Sequence, residues 1–309
     1  MKREKRKIQN HQMKKNDLLD KFYQKRKSII FRSFFFFLII AFIITLSYKF
    51  QSDESFIAKI NIEGIIQDRT DIIKQINSLK SDNNVKGLLT IINSPGGTYV
   101  GSKELYDSIQ TIGEKIPTAV YMKEMATSGG YLASLSSDKI FGNSGSITGS
   151  IGVILQSADI SNLLGKIGVS PIIIKSGKLK AVPNPAEQID EEKLNYLKEI
   201  IEKMQKEFLM IVKKNRNVSE SVLSLVSDGR ILTGREAKNL KLIDDIGNED
   251  DALNWLKNEA KVDEKIKIKE LSPENDLQKL INLRIFKKKF NYFSQNFYNG
   301  FFAIWAPGL

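Results

Sequence analysis

The most restrictive feature of this sequence is a series of short, almost wholly apolar stretches that alternate with helical patterns. Residues 57–66, 85–93 and 117–122 are rich in β-branched side chains, and residues 70–81 and 101–115 have the spacing of amphipathic helices. Strands that are buried on both faces have this uniform apolar composition. The alternation predicts an α/β domain with a mainly parallel sheet, whose catalytic loops lie at the carboxyl ends of strands.

Two glycine-containing turns follow neighbouring predicted strands. The first ends in Gly96 and Gly97, and the second contains Ser128, Gly129 and Gly130. A serine between a strand and a helix N-terminus is surrounded by backbone amides that favour negative charge, which suits an oxyanion. Either turn alone is compatible with a purely structural role. Their occurrence after consecutive buried strands favours a functional one.

The residues available for catalysis limit the mechanism. The chain has one histidine, His11, which lies in the basic N-terminal tail, and it has no cysteine. A nucleophilic Ser128 therefore has no imidazole in the globular part to activate it, and a cysteine mechanism is excluded. A lysine base remains. The glycines at 149–152 lack the context of a dinucleotide loop, and we expect neither a cofactor nor a metal ion.

The N-terminus combines a basic tail with an uncharged apolar run. Residues 1–32 hold twelve Lys/Arg and three Asp/Glu, a charge of +9 out of the total of +11. The remaining +2 gives no support to nucleic-acid binding. Residues 33–48 are uncharged and predict a single transmembrane anchor, with a buried core helix or a cleaved signal peptide as alternatives. The positive-inside rule then leaves the tail in the cytoplasm and the catalytic domain outside it, at a bacterial plasma membrane.

Five ordered motifs resemble one known family, the membrane-anchored signal peptide peptidases of the SppA type. The motifs are NSPGG at 93–97, ATSGGY at 126–131, ITGSIGV at 147–153, KSGKLK at 175–180 and DGRILTGREA at 228–237. The resemblance extends from about residue 57 to residue 256. It implies a ClpP/crotonase-like fold of repeated ββα units behind the N-terminal transmembrane helix. It also implies a serine protease that uses a Ser-Lys dyad.

The resemblance assigns a role to each motif residue. Ser128 would be the nucleophile and Lys180 the general base. The backbone amides of Gly97 and Gly129 would form the oxyanion hole, and the Ser150 hydroxyl would orient the lysine. Without the resemblance, the sequence does not distinguish Lys180 from the two other lysines of its motif.

Three positions depart from the pattern usual in the family. Ala181 follows the predicted base where aspartate is frequent, Thr127 stands where alanine is common, and Lys241 stands where glycine is frequent. Because a lysine accepts a proton only as the neutral amine, we expect Lys180 in apolar surroundings with no carboxylate beside it.

The sequence divides into four predicted parts. They are a basic cytoplasmic tail (1–32), the anchor (33–48), the protease domain (54–260) and a basic aromatic C-terminal tail (261–309). In the last part, five phenylalanines fall on one helical face: Phe286, Phe290, Phe293, Phe297 and Phe301. This tail could rest on the membrane, pack on the protease body, or place its extended end, from residue 303 onward, in a substrate groove.

A long helix predicted at 190–218 has one continuous apolar stripe, which suits either the protomer core or a subunit interface. Family resemblance implies a homo-oligomeric ring, with an octamer as the candidate, in which neighbouring subunits share the dyad. The expected substrates are hydrophobic peptides, namely remnant signal peptides in the membrane. Two alternatives stay open at this point: an inactive scaffold or binding protein of the same fold, and a crotonase-type acyl-CoA enzyme.

Overall fold

The computed structural model describes residues 33–43 and 54–271, and it describes the backbone of residues 301–304. Two compact units comprise Met1–Glu54 and Ser55–Leu309. In the first, residues 33–43 form helix α1, whose side chains are exposed. No helix within the described ranges is both long enough and apolar enough to cross a bilayer. The rest of the predicted anchor, residues 44–48, lies outside these ranges.

The second unit alternates strands and helices, as the apolar stretches predict. Its elements are β1 (Phe56–Glu63), α2 (Thr70–Leu79), β2 (Val85–Ser94), β3 (Gly96–Thr98), α3 (Tyr99–Gly113), β4 (Thr118–Thr127), α4 (Gly129–Ser134), β5 (Lys139–Gly142), β6 (Ile147–Gly149), β7 (Ile154–Leu155), α5 (Ser161–Lys166), α6 (Glu191–Asn215), α7 (Glu220–Val226), β8 (Ile231–Thr233), α8 (Gly234–Asn239), β9 (Asp245–Ile246), α9 (Glu249–Glu259), β10 (Lys267–Leu271) and β11 (Phe301–Ile304).

Eight of these strands form one sheet. Its main path is β10-β1-β2-β4-β5-β9, and β6 pairs with both β4 and β8. Every pair along the main path is parallel, and only β6 and β8 run antiparallel. Because β10 pairs with β1, the sheet continues past residue 260, where the sequence placed the end of the domain. Strands β3, β11 and β7 form a second, three-stranded sheet.

The large sheet is covered on both faces, which explains its uniformly apolar strands. One face packs against α2, α3, α4 and the C-terminal half of α6 in the main core. The other face packs against α9 through Ala252 and Leu256. The parallel α/β architecture is therefore confirmed. Burial of both faces removes far more apolar surface from water than a one-sided sheet would.

Helix capping and strand pairing set the element boundaries that the periodicity placed only approximately. Helix α3 begins at Tyr99, two residues early, because the Thr98 hydroxyl caps it by accepting the Gly101 amide at 3.2 Å. Strand β4 continues five residues beyond its predicted end, since Met125 to Thr127 pair with β6. Helix α6 begins after its cap, Asp190.

The apolar stripe of α6 is divided between core and solvent. Phe208, Ile211 and Val212 are buried in the main core, whereas Leu194 near the N-terminus of the helix is 40% exposed. The helix ends at Asn215 and is followed by Arg216, whose guanidinium donates to both carboxylate oxygens of Asp244 at 3.0 Å. Core packing is therefore the role of the C-terminal half of this stripe.

Candidate active site

Ser128 occupies a strained turn between β4 and α4. Its backbone has φ 52° and ψ −114°, a region that favours glycine and costs other residues about 1–3 kcal/mol. Two backbone hydrogen bonds hold it there: its amide donates to the Gly149 carbonyl at 2.8 Å, and its carbonyl accepts the Leu132 amide at 2.8 Å. The side chain is nearly buried, and its hydroxyl makes one long contact, 3.4 Å, to the Gly152 carbonyl.

The helix that follows, α4, begins with two glycines, Gly129 and Gly130. The first amides of an α-helix have no partner within the helix, so those of Gly129 and Gly130 are available to an anion. A Cβ placed on Gly130 would lie 3.0 Å from the Ser94 carbonyl oxygen. Glycine therefore lets the start of α4 approach the end of β2 closely.

The turn that contains Gly97 is fixed by its contacts with the chain after β1. A Cβ on Gly97 would lie 1.7 Å from the Ile66 carbonyl oxygen, so no other residue fits this backbone. Ile66 donates to the Gly96 carbonyl at 2.8 Å and accepts the Thr98 amide at 2.7 Å. The Ser94 hydroxyl donates to the Gly64 carbonyl at 2.7 Å and accepts the Gly96 amide at 3.0 Å.

Sheet register brings the two turns together. Strands β2 and β4 are parallel neighbours with Ser94 opposite Ala126, so the turns after them share one carboxyl edge. Helix α4 also contacts β3. The elements that carry Gly97 and Gly129 therefore lie at the same edge of the sheet as Ser128, and the oxyanion hole formed by their amides stays a prediction.

Ser150 also has a strained backbone, with φ 49°, immediately after β6. Its amide donates to the Arg230 carbonyl at 2.8 Å, and Gly149 before it has φ 79°. Because Thr127 pairs with Gly149, Ser150 lies beside Ser128 at the sheet edge. The sequence reasoning gave no role to Arg230. Arg230 belongs to the motif at 228–237. Hydrogen bonds from its side chain hold the pKa of Asp228 below its usual value.

Lys180 lies on the segment 156–190, which we call the arm. The lysine is exposed, so the apolar surroundings expected for it are not found in the single chain. Its amine has no hydrogen-bond or ion-pair partner among the described residues, whereas Lys175 pairs with Glu187 and Lys178 pairs with Glu192. Of the three motif lysines, Lys180 is thus the one that has no carboxylate beside it among the described residues. In the single chain the Ser128 hydroxyl contacts the Gly152 carbonyl and makes no hydrogen bond with the Lys180 amine.

The arm carries apolar side chains that are left exposed in the part of the chain that the structure describes. Helix α5 has no buried residue, and beyond it Ile172 and Ile174 are 90% and 93% exposed. Ile160 and Leu163 are also exposed. Exposed apolar residues grouped in this way are typical of surfaces that contact a protein, a membrane or a ligand.

Helix α4 is anchored at its far side by Tyr131, which is fully buried. Its hydroxyl donates to the Leu242 carbonyl at 2.9 Å, and burial raises the pKa of this phenol. Lys241, one of the departures from the usual pattern, precedes that carbonyl and has φ 61°. Glycine is favoured at such a backbone, which gives a physical reason for its frequency at this position in the family.

Comparisons with known proteins identify the family of the chain. The sequence model of "Peptidase family S49" matches residues 111–263, and that of "Clp protease" matches residues 54–143. "Putative protease slr0021" of Synechocystis is 35% identical over 209 residues, which are 67% of this chain and 75% of that protein. The chain belongs to peptidase family S49. The resemblance drawn from the five motifs is thereby confirmed.

Other S49 relatives are longer than the matched region. "Putative signal peptide peptidase SppA" of Enterococcus faecium is 35% identical over 220 residues, 67% of this chain and 64% of that protein. "Putative protease MJ0651" of Methanocaldococcus jannaschii is 34% identical over 190 residues, 62% and 61% respectively. The chain thus spans a little under two thirds of the length of these two relatives.

The fold is the α/β ClpP-like fold of the Clp protease match. Among solved structures, a ClpP1 mutant from Listeria monocytogenes is 19% identical, with a TM-score of 0.44 over 67% of this chain and 99% of that one. No cluster of His, Cys, Asp or Glu side chains able to hold a metal ion occurs in the part of this S49 chain that the structure describes.

Proposed function

We propose that this chain is a serine endopeptidase with Ser128 as nucleophile and Lys180 as general base. One observation carries the proposal: Ser128 is held at a strained turn, beside helix-start amides and next to the Gly97 turn. Strain of this kind persists where the surrounding structure over-determines it, and it concentrates at catalytic positions. Membership of the S49 family supports peptide hydrolysis as the reaction.

The proposed reaction begins when the neutral amine of Lys180 takes the proton from the Ser128 hydroxyl. The oxygen of Ser128 then attacks the peptide carbonyl carbon, and the amides of Gly97 and Gly129 stabilise the resulting oxyanion, each by about 3 kcal/mol. Lys180 gives the proton to the leaving nitrogen, and the C–N bond breaks. The same amine then deprotonates a water molecule, which hydrolyses the acyl-enzyme. The Ser150 hydroxyl orients the lysine.

In this proposal the base reaches the nucleophile from a neighbouring subunit. Two features support this: the Lys180 amine has no partner among the residues described in one chain, and the apolar arm that carries it is uncovered. Contact of the arm with a second copy would exclude water from the amine, which favours its neutral form. In a closed homo-oligomeric ring every subunit has a neighbour that can supply Lys180 to its Ser128.

The proposed substrates are hydrophobic peptides in extended form, including remnant signal peptides. The name of the E. faecium relative supports this substrate class. The uncharged run at 33–48, preceded by the basic tail, supports an N-terminal anchor with the catalytic domain on the extracytoplasmic side.

The decisive experiment is labelling of the purified chain with a fluorophosphonate, followed by mass spectrometry of the adduct. We expect the label on Ser128, and we expect Ser128→Ala to abolish it while Ser144→Ala does not. Replacement of Lys180 by alanine should lower peptidase activity about a thousandfold or more. The matched control is Lys178→Ala, because Lys178 is on the same segment and pairs with Glu192 at the surface. A fully active Lys180→Ala variant would contradict the dyad, and a chain with no activity to lose would indicate a scaffold.

A further inference from the structure

The guanidinium of Arg69 closes a turn that follows β1. Its Nη2 atom donates to the Glu63 carbonyl at 2.7 Å and to the Ile65 carbonyl at 2.9 Å. These carbonyls lie on either side of Gly64, whose φ of 67° turns the chain at the end of the strand. Because hydrogen bonds from a cationic donor are stronger than neutral ones, this single nitrogen fixes the shape of residues 63–66.

Residues 63–66 are interlocked with the end of β2 and with the turn that contains Gly97. The Gly64 carbonyl accepts the Ser94 hydroxyl at 2.7 Å. Ile66 holds the turn through one hydrogen bond before Gly97 and one after it, and it pairs with Gly97 in a parallel bridge. The position of the Gly97 amide therefore depends on where residues 63–66 lie.

The charge of Arg69 is not used in an ion pair. Among the described residues its guanidinium donates to carbonyls and to no carboxylate, and its Nε atom is buried without a partner. Burial lowers the pKa of Arg69, but the group stays ionised because the ordinary pKa of arginine lies far above neutral pH. Partial burial of this cation costs free energy, and the two carbonyl bonds are the interactions that offset it. Holding these carbonyls is thus the role that the contacts of this side chain indicate.

We propose that Arg69 is a positioning residue of the oxyanion hole, which holds residues 63–66 so that they place the Gly97 amide for the developing oxyanion. This inference rests on the proposed function, because Gly97 acts as a donor only if Ser128 attacks a peptide. Arg69 acts through the backbone of Ile66 and not on the reacting atoms. The oxyanion exists only in the transition state and the intermediate that follows it, so displacement of this donor lowers kcat and leaves KM unchanged.

The first test measures kcat and KM for peptide cleavage by the full chain. Arg69→Met keeps an apolar stem but removes both hydrogen bonds, and we expect it to lower kcat about tenfold to a hundredfold with KM unchanged.

Two further variants serve as controls. One nitrogen makes both bonds of Arg69, so an ammonium group can replace it, and Arg69→Lys should keep kcat within about threefold of the original value. Lys74→Met removes a positive charge from an exposed position of α2, and we expect no change in kcat or KM. An unchanged kcat in Arg69→Met would overturn the proposal, and so would an Arg69→Lys variant that is as slow as Arg69→Met.

Hydrogen exchange keeps the inference separate from the proposed catalysis. Mass spectrometry of the full chain follows the amides of Ile66 and Thr98, which donate the two bonds that join residues 63–66 to the Gly97 turn. We expect these amides to exchange about tenfold faster or more in Arg69→Met, while the amides of α9 keep their original rates.

If no variant cleaves peptides, the proposed function fails, and the exchange rates alone decide whether Arg69 holds the Gly97 turn. Unchanged protection of Ile66 and Thr98 in Arg69→Met refutes the inference. An equal loss of protection in α9 also refutes it, because that result would indicate a general loss of stability and no specific effect on the turn.

Discussion

The strained backbone of Ser128 predicts an inversion of the usual effect of glycine on stability. With φ 52° and ψ −114°, a residue with a Cβ atom is strained by about 1–3 kcal/mol, and both serine and alanine carry that strain. Glycine relieves it but loses about 0.4–1 kcal/mol through its greater freedom in the unfolded chain. The hydroxyl makes only a 3.4 Å contact and no cap hydrogen bond, so its removal changes little. We therefore expect Ser128→Gly to be about 1–2 kcal/mol more stable than Ser128→Ala.

Paired thermal unfolding of the purified variants measures this difference. For a domain of this size, 1 kcal/mol corresponds to about 2–4 °C in midpoint. Neither variant retains the nucleophile, so self-cleavage does not complicate the comparison. The control pair is Ser144→Gly and Ser144→Ala, because Ser144 is not at a positive φ. There we expect glycine to be the less stable by about 0.4–1 kcal/mol. The reasoning is refuted if glycine is also the less stable residue at position 128.

Three further perturbations test other parts of the structure. Gly97→Ala should destabilise the fold and abolish peptidase activity, because its Cβ would lie 1.7 Å from the Ile66 carbonyl oxygen; unfolding and activity assays check this, and normal behaviour in both contradicts the tight turn. Tyr131→Phe leaves the buried Leu242 carbonyl without its donor and should cost about 1–3 kcal/mol in urea unfolding; no loss would mean that water replaces the hydroxyl. Hydrogen bonds from Lys238 and Lys139 lower the pKa of Asp245. The ionised carboxylate therefore contributes to the free energy of unfolding, by at most about 1 kcal/mol at this exposure. This contribution is present above the pKa of Asp245 in the unfolded chain and is lost as the pH falls through its pKa in the folded chain. Asp245→Asn should therefore lower stability at pH 7 but not at the acid end; an equal loss at both would contradict this.

Much of the fold was predictable from the sequence because local pattern and tertiary burial agree. The apolar stretches of β1, β2 and β4 are buried by helices on both faces, which is the condition that their composition implied. The boundaries were less predictable, since they depend on distant partners. Strand β4, for example, is extended by its pairing with β6, and the residue pattern at 123–127 does not predict that pairing.

The sequence predicted the parts of the candidate site that lie at the edge of the sheet, but not the surroundings of Lys180. The placement of Ser128, Ser150 and Gly97 follows from turns at the carboxyl edge of the sheet, which the sequence marked with glycine and proline. The surroundings of Lys180 were predicted wrongly, because the amine is exposed in the single chain rather than enclosed by apolar side chains. The place of β11 depends on pairing with β3 over a long sequence separation, which the sequence pattern alone does not determine. Phe301, expected on the aromatic helical face of the tail, belongs to this strand instead. The other four phenylalanines of that face lie outside the described residues.

The position of Lys180 on an uncovered arm has a consequence for when proteolysis can start. If a neighbouring subunit supplies the base, a newly made chain has no complete Ser-Lys pair and does not cleave peptides before it assembles. We then expect turnover per chain to rise with protein density until assembly is complete. The rate of synthesis would then set the onset of hydrolysis.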